Sequence, residues 1–331
     1  MNNLLQKTKN LYQDKPWQYM GDDQTFLIVN SHSGEYYYCS VIGAAGETFG
    51  LAVYIGQEGL LTLLKVLKGG EPDFDFLLKQ RSILLTFENR EDLSKEDYQF
   101  VKNSDVTFRG KKAWPVFISY QPGYYPWFVD TSEMAALETV LEQALEICRE
   151  VKAGTALPNF IKDGEIFARV YKDNGYQNEV VPLNHFKLEG KKLEVPLEVS
   201  EFDLKRAKKI KQVYQVAVEF SVFHVDMPVQ EDPGERPMFP LMIVAADHEK
   251  GFIFYQDLVS NNKDYGTIQA HLLKAFQGIE GIPELILMDT STAAIMQSVT
   301  EKMGLNVEIQ EKLEAIEEFY NQLVEDLDMG F

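Results

Sequence analysis

Three acidic side chains stand where they could converge on a pair of divalent metals. Glu219 lies within an apolar, strand-like run. Asp289 directly follows the wholly apolar stretch Leu285-Ile286-Leu287-Met288, and Glu314, with Glu318 one turn later, opens a terminal helical pattern. Carboxylates brought together from two strands and a helix can clamp two divalent ions, which activate a water and stabilise the leaving oxygen of a phosphodiester. The same residues also have a plainer reading. An Asp after a strand and before a helix is the usual N-cap. Glutamates along one side of an amphipathic helix form a solvated face.

Two other constellations carry chemical potential. Asp247-His248-Glu249 combines residue types suited to metal binding or proton transfer. The three are consecutive in a turn, however, so their side chains diverge and a plain polar turn accounts for them. The segment Tyr120-Gln121-Pro122-Gly123-Tyr124-Tyr125-Pro126-Trp127-Phe128 places aromatics on a backbone stiffened by two prolines. Tyr124, Tyr125, Trp127 and Phe128 suit a recognition surface, because rigid rings bind at low entropic cost. They suit an internal plug between a sheet and a helix equally. Gly43-Ala44-Ala45-Gly46-Glu47 is glycine-rich, but it joins two strands and opens no helix, so it reads as a turn and not as a phosphate cradle. The chain has no Walker-type phosphate loop, no G-x-S-x-G elbow, no H-E-x-x-H and no cofactor motif.

The elements that must position these residues follow from periodicity and punctuation. A short helix over 2–13 precedes strands near 26–30, 36–42 and 49–55, whose close spacing predicts an antiparallel meander. A helix over 59–67, a strand at 82–87, a capped helix from Ser94 and a strand at 116–120 come next. Met134, Leu137, Leu141, Leu145 and Cys148 recur at helical spacing, with Asp130 and Glu133 as a capping box. Beyond Pro158 a hairpin is expected across Asn174-Gly175, then a short helix capped by Ser200. Further on come a long strand at 213–225, a hairpin of 241–246 with 252–255, a helix at 268–276 and the buried strand at 285–288. A helix at 293–303, a strand at 306–309 and a last helix with the stripe Leu313, Ile316, Tyr320, Leu323 and Leu327 complete the chain. Both halves can be written βββαβαβα, which hints at a duplicated fold.

Composition sets the outer limits. The chain has 331 residues, 45% hydrophobic and 25% charged, which is ordinary for globular α/β domains and predicts two of them. The expected boundary separates 1–155 from 156–331. Net charge is -19. Residues 1–155 hold 15 basic against 21 acidic side chains, net -6, and the remainder hold 17 against 30, net -13. That field weighs against nucleic acid as a partner. Two cysteines, Cys39 and Cys148, form no metal spacing and read as buried reduced thiols. The first 16 residues lack the apolar core of a signal peptide, and the longest apolar runs are too short to span a bilayer. The expectation is a cytoplasmic protein without a membrane segment, metal or cofactor.

Two resemblances add to this. Cys39-Ser40-Val41-Ile42-Gly43, with Gly46-Glu47, Gly50-Leu51, Tyr54-Ile55-Gly56, Gly59-Leu60, Trp114-Pro115 and the 122–128 segment, resembles the N-terminal domain of an uncharacterised bacterial family. Arg236-Pro237-Met238-Phe239-Pro240 and the hairpin after it resemble the C-terminal domain of the same proteins. The resemblance covers most of the chain and implies two domains of unknown function, with no catalytic residues to carry over. The order βββαβαβα is also that of the ribonuclease H-like fold of nucleases and transposases. Gly281-Ile282-Pro283-Glu284-Leu285-Ile286-Leu287-Met288-Asp289 is similar to the stretch around the second acidic residue of transposase cores. The expectation is an α/β protein with mixed sheets, its second domain ribonuclease H-like from about residue 211 and lacking a complete acidic site. The leading functional reading is a non-catalytic binding module with a protein partner. The alternative is a metal-dependent phosphodiesterase using Glu219, Asp289 and Glu314.

Overall fold

The computed structural model describes residues 1–30, 33–70, 73–186, 193–260 and 263–328, with side chains of the last helix described as far as 325. The chain divides into two compact units, Met1–Gly190 and Lys191–Phe331.

The first unit is built on one seven-stranded sheet. Helix α1 (Asn2–Asp14) leads into β1 (Thr25–Val29), β2 (Tyr36–Ile42) and β3 (Phe49–Ile55). Helices α2 (Gly56–Leu67) and α3 (Phe74–Lys79) follow, then β4 (Ser82–Glu88), α4 (Lys95–Lys102), β5 (Trp114–Tyr120) and α5 (Thr131–Lys152). A hairpin of β6 (Glu165–Lys172) and β7 (Gly175–Pro182) ends it. The strand order is β5-β4-β3-β2-β1-β6-β7. The first five strands form an antiparallel meander, and β6 joins β1 in parallel. Leu4, Leu5 and Leu11 of α1 and Leu137, Leu141 and Ala144 of α5 cover one face. Leu60, Leu63 and Leu64 of α2 cover the middle of the other. Burial on both sides explains the almost wholly apolar β2 and β3.

Local signals account for several of these elements. Asp130 accepts from the Ser132 and Glu133 N–H groups while Glu133 accepts from the Asp130 N–H, the capping box expected for α5. The β6–β7 hairpin forms, but its two loop residues are Asp173 and Asn174, at φ 50° and 65°. Gly175 already pairs with Lys172. Asp and Asn tolerate the left-handed region that such a tight turn requires at both central positions.

The sheet corrects two expectations. The boundary at 155 falls inside the first unit, because β6 hydrogen-bonds to β1 and so belongs to that sheet. The halves share an element order but not a topology. In the first unit the chain leaves β3 at Gly56, φ 65°, and returns to the same edge, where the Ile55 N–H donates to the Arg81 carbonyl. Strand β4 therefore runs antiparallel beside β3.

The second unit begins with α6 (Glu201–Ala207), capped by Ser200, and β8 (Val213–Tyr214). Strands β9 (Val218–His224), β10 (Leu241–Asp247) and β11 (Ile253–Val259) follow. Then come α7 (Tyr265–Gly278), β12 (Ile282–Pro283), β13 (Ile286–Met288), α8 (Thr290–Met303), β14 (Val307–Ile309) and α9 (Glu314–Asp328). The five-stranded order is β11-β10-β9-β13-β14. Strands β9, β10 and β11 are antiparallel, while β13 and β14 run parallel to β9. This is the ribonuclease H-like topology: three meandering strands, then two parallel strands added beyond the first through helical crossovers. Val218, Phe220 and Val222 pack under α6, α7 and α8, and Val244, Ala246 and Leu287 under α9. The run expected as one strand over 213–225 is two. Its first part, β8, leaves to pair with β12. Leu327 of the expected α9 stripe lies outside the described side chains. Among the described residues no helix is long and apolar enough to cross a membrane.

The packing makes two features testable. A Cβ on Gly59 would lie 2.6 Å from the Tyr54 carbonyl carbon and 2.9 Å from the Arg81 carbonyl oxygen. Gly59→Ala should therefore destabilise the first unit by about 1–3 kcal/mol in urea unfolding, although alanine is the better helix former. In the second unit His271 of α7 is buried and its Nδ1 shares a hydrogen bond with the Tyr255 hydroxyl, with Asp257 and Lys274 as its charged neighbours. Burial, aided by Lys274, holds the imidazole below its ordinary range. The folded state thus binds this proton less readily than the unfolded chain, so stability present above about pH 6.5 is lost as pH falls. The unfolding midpoint of the second unit should drop between pH 7 and pH 5, and His271→Gln should flatten that drop. An unchanged pH profile in the variant would contradict the assignment.

Candidate functional site

Strand β9 alternates between the two faces of its sheet, so Glu219 and Ser221 point to the side covered by α9. Glu219 is fully buried. Such a carboxylate must have its oxygens answered by donors. Oε2 accepts from the Ile316 N–H at 3.1 Å, in the first turn of α9. Oε1 lies 2.7 Å from Nδ1 of His248, on the turn between β10 and β11. The carboxylate therefore stands in for a cap at a helix end where negative charge is favoured. The His248 N–H in turn donates to the Ala217 carbonyl.

Asp289 ends β13 and caps α8. Oδ1 accepts from the Thr292 N–H at 2.9 Å, and Oδ2 accepts from the hydroxyls of Thr292 at 2.6 Å and Ser221 at 2.7 Å. The Thr292 hydroxyl also accepts from the Val222 N–H, a strand donor lying beyond the short β13. The register explains the pairing. Leu287 lies opposite Glu219, so Asp289, two residues on, meets Ser221, two residues on. The strand position beside Asp289 is thus a serine. Glu314 and Glu318 are both exposed on α9. Among the described residues no three His, Cys, Asp or Glu side chains are placed to hold a metal ion.

Asp247, His248 and Glu249 go separate ways. Asp247 folds back on its own turn, accepting from the Glu249 and Lys250 N–H groups and from the Tyr214 hydroxyl. Burial alone would push its carboxyl up, but these donors and the Lys250 charge hold it below the usual carboxylate range. His248 reaches Glu219, and Glu249 is exposed. The His248–Glu219 contact is the feature that sequence reasoning missed. The residues are 29 apart, and the only signal for the contact is the β9–β10 register, which sets Asp247 opposite Val218.

In the first unit the aromatic segment lies along the outer edge of β5. The Ser119 N–H donates to the Trp127 carbonyl at 2.7 Å and the Trp127 N–H returns to Ser119 at 3.0 Å. This covers part of an otherwise open sheet edge. Gly123, φ 80°, makes the bend and donates its N–H to Leu78. Glu133 ties the segment to α5 by accepting from Ser119 Oγ and Gln121 Nε2. Tyr125 and Phe128 are 43% and 39% exposed, while Tyr124 and Trp127 are half-buried. Trp127 and Phe128 meet edge to face at 5.2 Å. The segment is a surface element braced by backbone bonds. Cys39 and Cys148 are free and buried in one core, and burial pushes the Cys148 thiol up to about 12.

If Glu219 and Asp289 are structural, their loss should appear as lost stability. Glu219→Ala should cost about 2–3 kcal/mol, by leaving the Ile316 N–H and His248 without their acceptor. Asp289→Ala should cost about 1–2 kcal/mol, a helix cap plus a strand tie. Denaturant unfolding of each variant reads both values, and wild-type stability in both would refute these structural roles.

Solved structures similar to this chain include complexes of the Mos1 transposase. The strand transfer complex is 15% identical over 59% of this chain and 62% of that one, with a TM-score of 0.22. The mariner paired-end complex with Mn is 13% identical over 78% and 74%, with a TM-score of 0.21. The paired-end complex with the left transposon end is 14% identical over 78% and 79%, also at 0.21. Scores this low carry no argument about function. This chain spans less than two thirds of the first of these proteins. No curated protein matches the sequence. Two family models do match, and each is described only as a domain of unknown function: DUF7309 over residues 2–169 and DUF6930 over residues 203–324. With the first model alone spanning just over half of its 331 residues, the protein belongs to the DUF7309 family of unknown function and carries a DUF6930 domain after it.

Proposed function

We propose that this chain is a non-catalytic, cytoplasmic binding protein in which the ribonuclease H-like unit serves as a scaffold. The observation that supports it best is the occupancy of the two central carboxylates. Glu219 and Asp289 accept protein donors on all four of their oxygens. A two-metal centre needs carboxylate oxygens facing a shared open cavity. The aromatic segment is the proposed contact surface, with Tyr125 and Phe128 as its exposed rings and Tyr124 and Trp127 as half-buried supports. Its backbone ties to Ser119 and Leu78 preorganise it, which reduces the entropic cost of binding. The partner proposed is a protein. A net charge of -19 opposes a phosphate backbone, and exposed aromatic rings on an acidic chain favour a partner face carrying Lys or Arg.

The alternative, a phosphodiesterase built on Glu219, Asp289 and Glu314, is separated by a direct test. Calorimetric titration of the full chain with Mn²⁺ should show no stoichiometric binding, and supercoiled plasmid with Mn²⁺ should stay uncut. Stoichiometric Mn²⁺ binding together with cleavage that Asp289→Ala abolishes would overturn the proposal. On the binding side, a Tyr125→Ala/Phe128→Ala double variant should keep its fold and lose at least about tenfold in affinity for whatever protein the wild type captures.

A further inference from the structure

The first unit holds an apolar cavity that neither the carboxylates nor the aromatic segment explains. Helix α2 packs over β2 and β3, drawn close by Gly59. Its packing is concentrated there, and β1, β6 and β7 lie to one side. On the same face those strands present Leu27 and Val29, Val170, and Val181. After β7 the chain folds back through a short 3-10 turn, Leu183–His185, and drops Phe186 onto the sheet. Phe186 meets Tyr36 at 5.8 Å and 90° and Tyr38 at 5.6 Å and 73°. Between this ring cluster and the three strands lies a cavity of about 350 Å³. Small-ligand sites start at roughly this size and share this make-up, an apolar lining with a few convergent polar groups.

The polar groups constrain the ligand. Lys172 of β6 reaches diagonally to Glu179 of β7 and forms an ion pair with it at one side of the cavity, and His185 lies at the rim. The pair is already neutral as a unit. A charged ligand end would have to separate it, whereas a hydroxyl or amide can accept from the ammonium and donate to the carboxylate. Val29, Val170 and Val181 are only half-buried, so a flat apolar body laid on them would complete their burial. The edges of Tyr36 and Phe186 suit an aromatic ring.

We propose that this cavity binds a small neutral aromatic molecule carrying a single hydroxyl or amide group. The site is separate from the aromatic segment, so it stands or falls independently of the function proposed above. The probe is 2-naphthol, titrated by fluorescence against the full chain and followed by methyl NMR. The expected result is one saturable site, with shifts concentrated at the Val29, Val170 and Val181 methyls. Val181→Trp and Val170→Trp, which fill the space, should each weaken binding by about tenfold or more with the unfolding midpoint retained. Phe128→Ala should bind as the wild type does. Absence of saturation up to the solubility limit, shifts centred elsewhere, or unchanged affinity in either folded tryptophan variant would overturn the proposal.

Discussion

A carboxylate removed from water must have its oxygens answered or its charge becomes prohibitively costly. In the second unit this constraint falls on Glu219, and its solution joins elements far apart in the chain. One oxygen holds the first turn of α9 to the sheet, and the other holds the imidazole at the tip of the β10–β11 hairpin. Three parts of the ribonuclease H-like unit therefore meet at one buried side chain. Leu313 just before the helix, with Ala315 and Ile316 in its first turn, packs onto the apolar face formed by Val244, Ala246 and Leu287. The charge orients the helix end, and the apolar contacts provide the area.

A second polar tie works one rung further along the sheet. Asp289, Thr292 and Ser221 connect the start of α8 to β9, and Thr292 satisfies a strand N–H that the three-residue β13 is too short to reach. The two acidic positions that resemble a hydrolytic centre are thus the joints by which α8 and α9 attach to the central strand. At these positions of the ribonuclease H-like topology the side chains accept hydrogen bonds from the helices and strands they connect. Fold alone therefore does not supply the activity.

Elements controlled by near neighbours were legible in the sequence. The capping box of α5, the apolar run of β13 and the β6–β7 hairpin are each encoded within a few residues. What was not legible depends on pairing across long separations. Nothing local tells β4 to return beside β3 when the same element order sends β13 across to β9. Nothing near residue 155 reveals that β6 will join β1, far back in the chain. The site follows the same division. Asp289 was readable as a cap from its neighbours. That Ser221 and not Glu219 would be its strand partner is a matter of register, and a two-residue offset exchanges an acid for a hydroxyl.

In the proposed reading Glu219 and Asp289 act as joints and not as metal ligands. Anomalous diffraction from crystals of the full chain soaked in Mn²⁺ distinguishes the two roles at the atoms concerned. No anomalous peak is expected within coordination distance of either carboxylate, with the Ile316, His248, Ser221 and Thr292 contacts intact. A peak coordinated by Asp289 with Glu219 or Glu314, at the expense of those contacts, would show that the carboxylates are ligands after all.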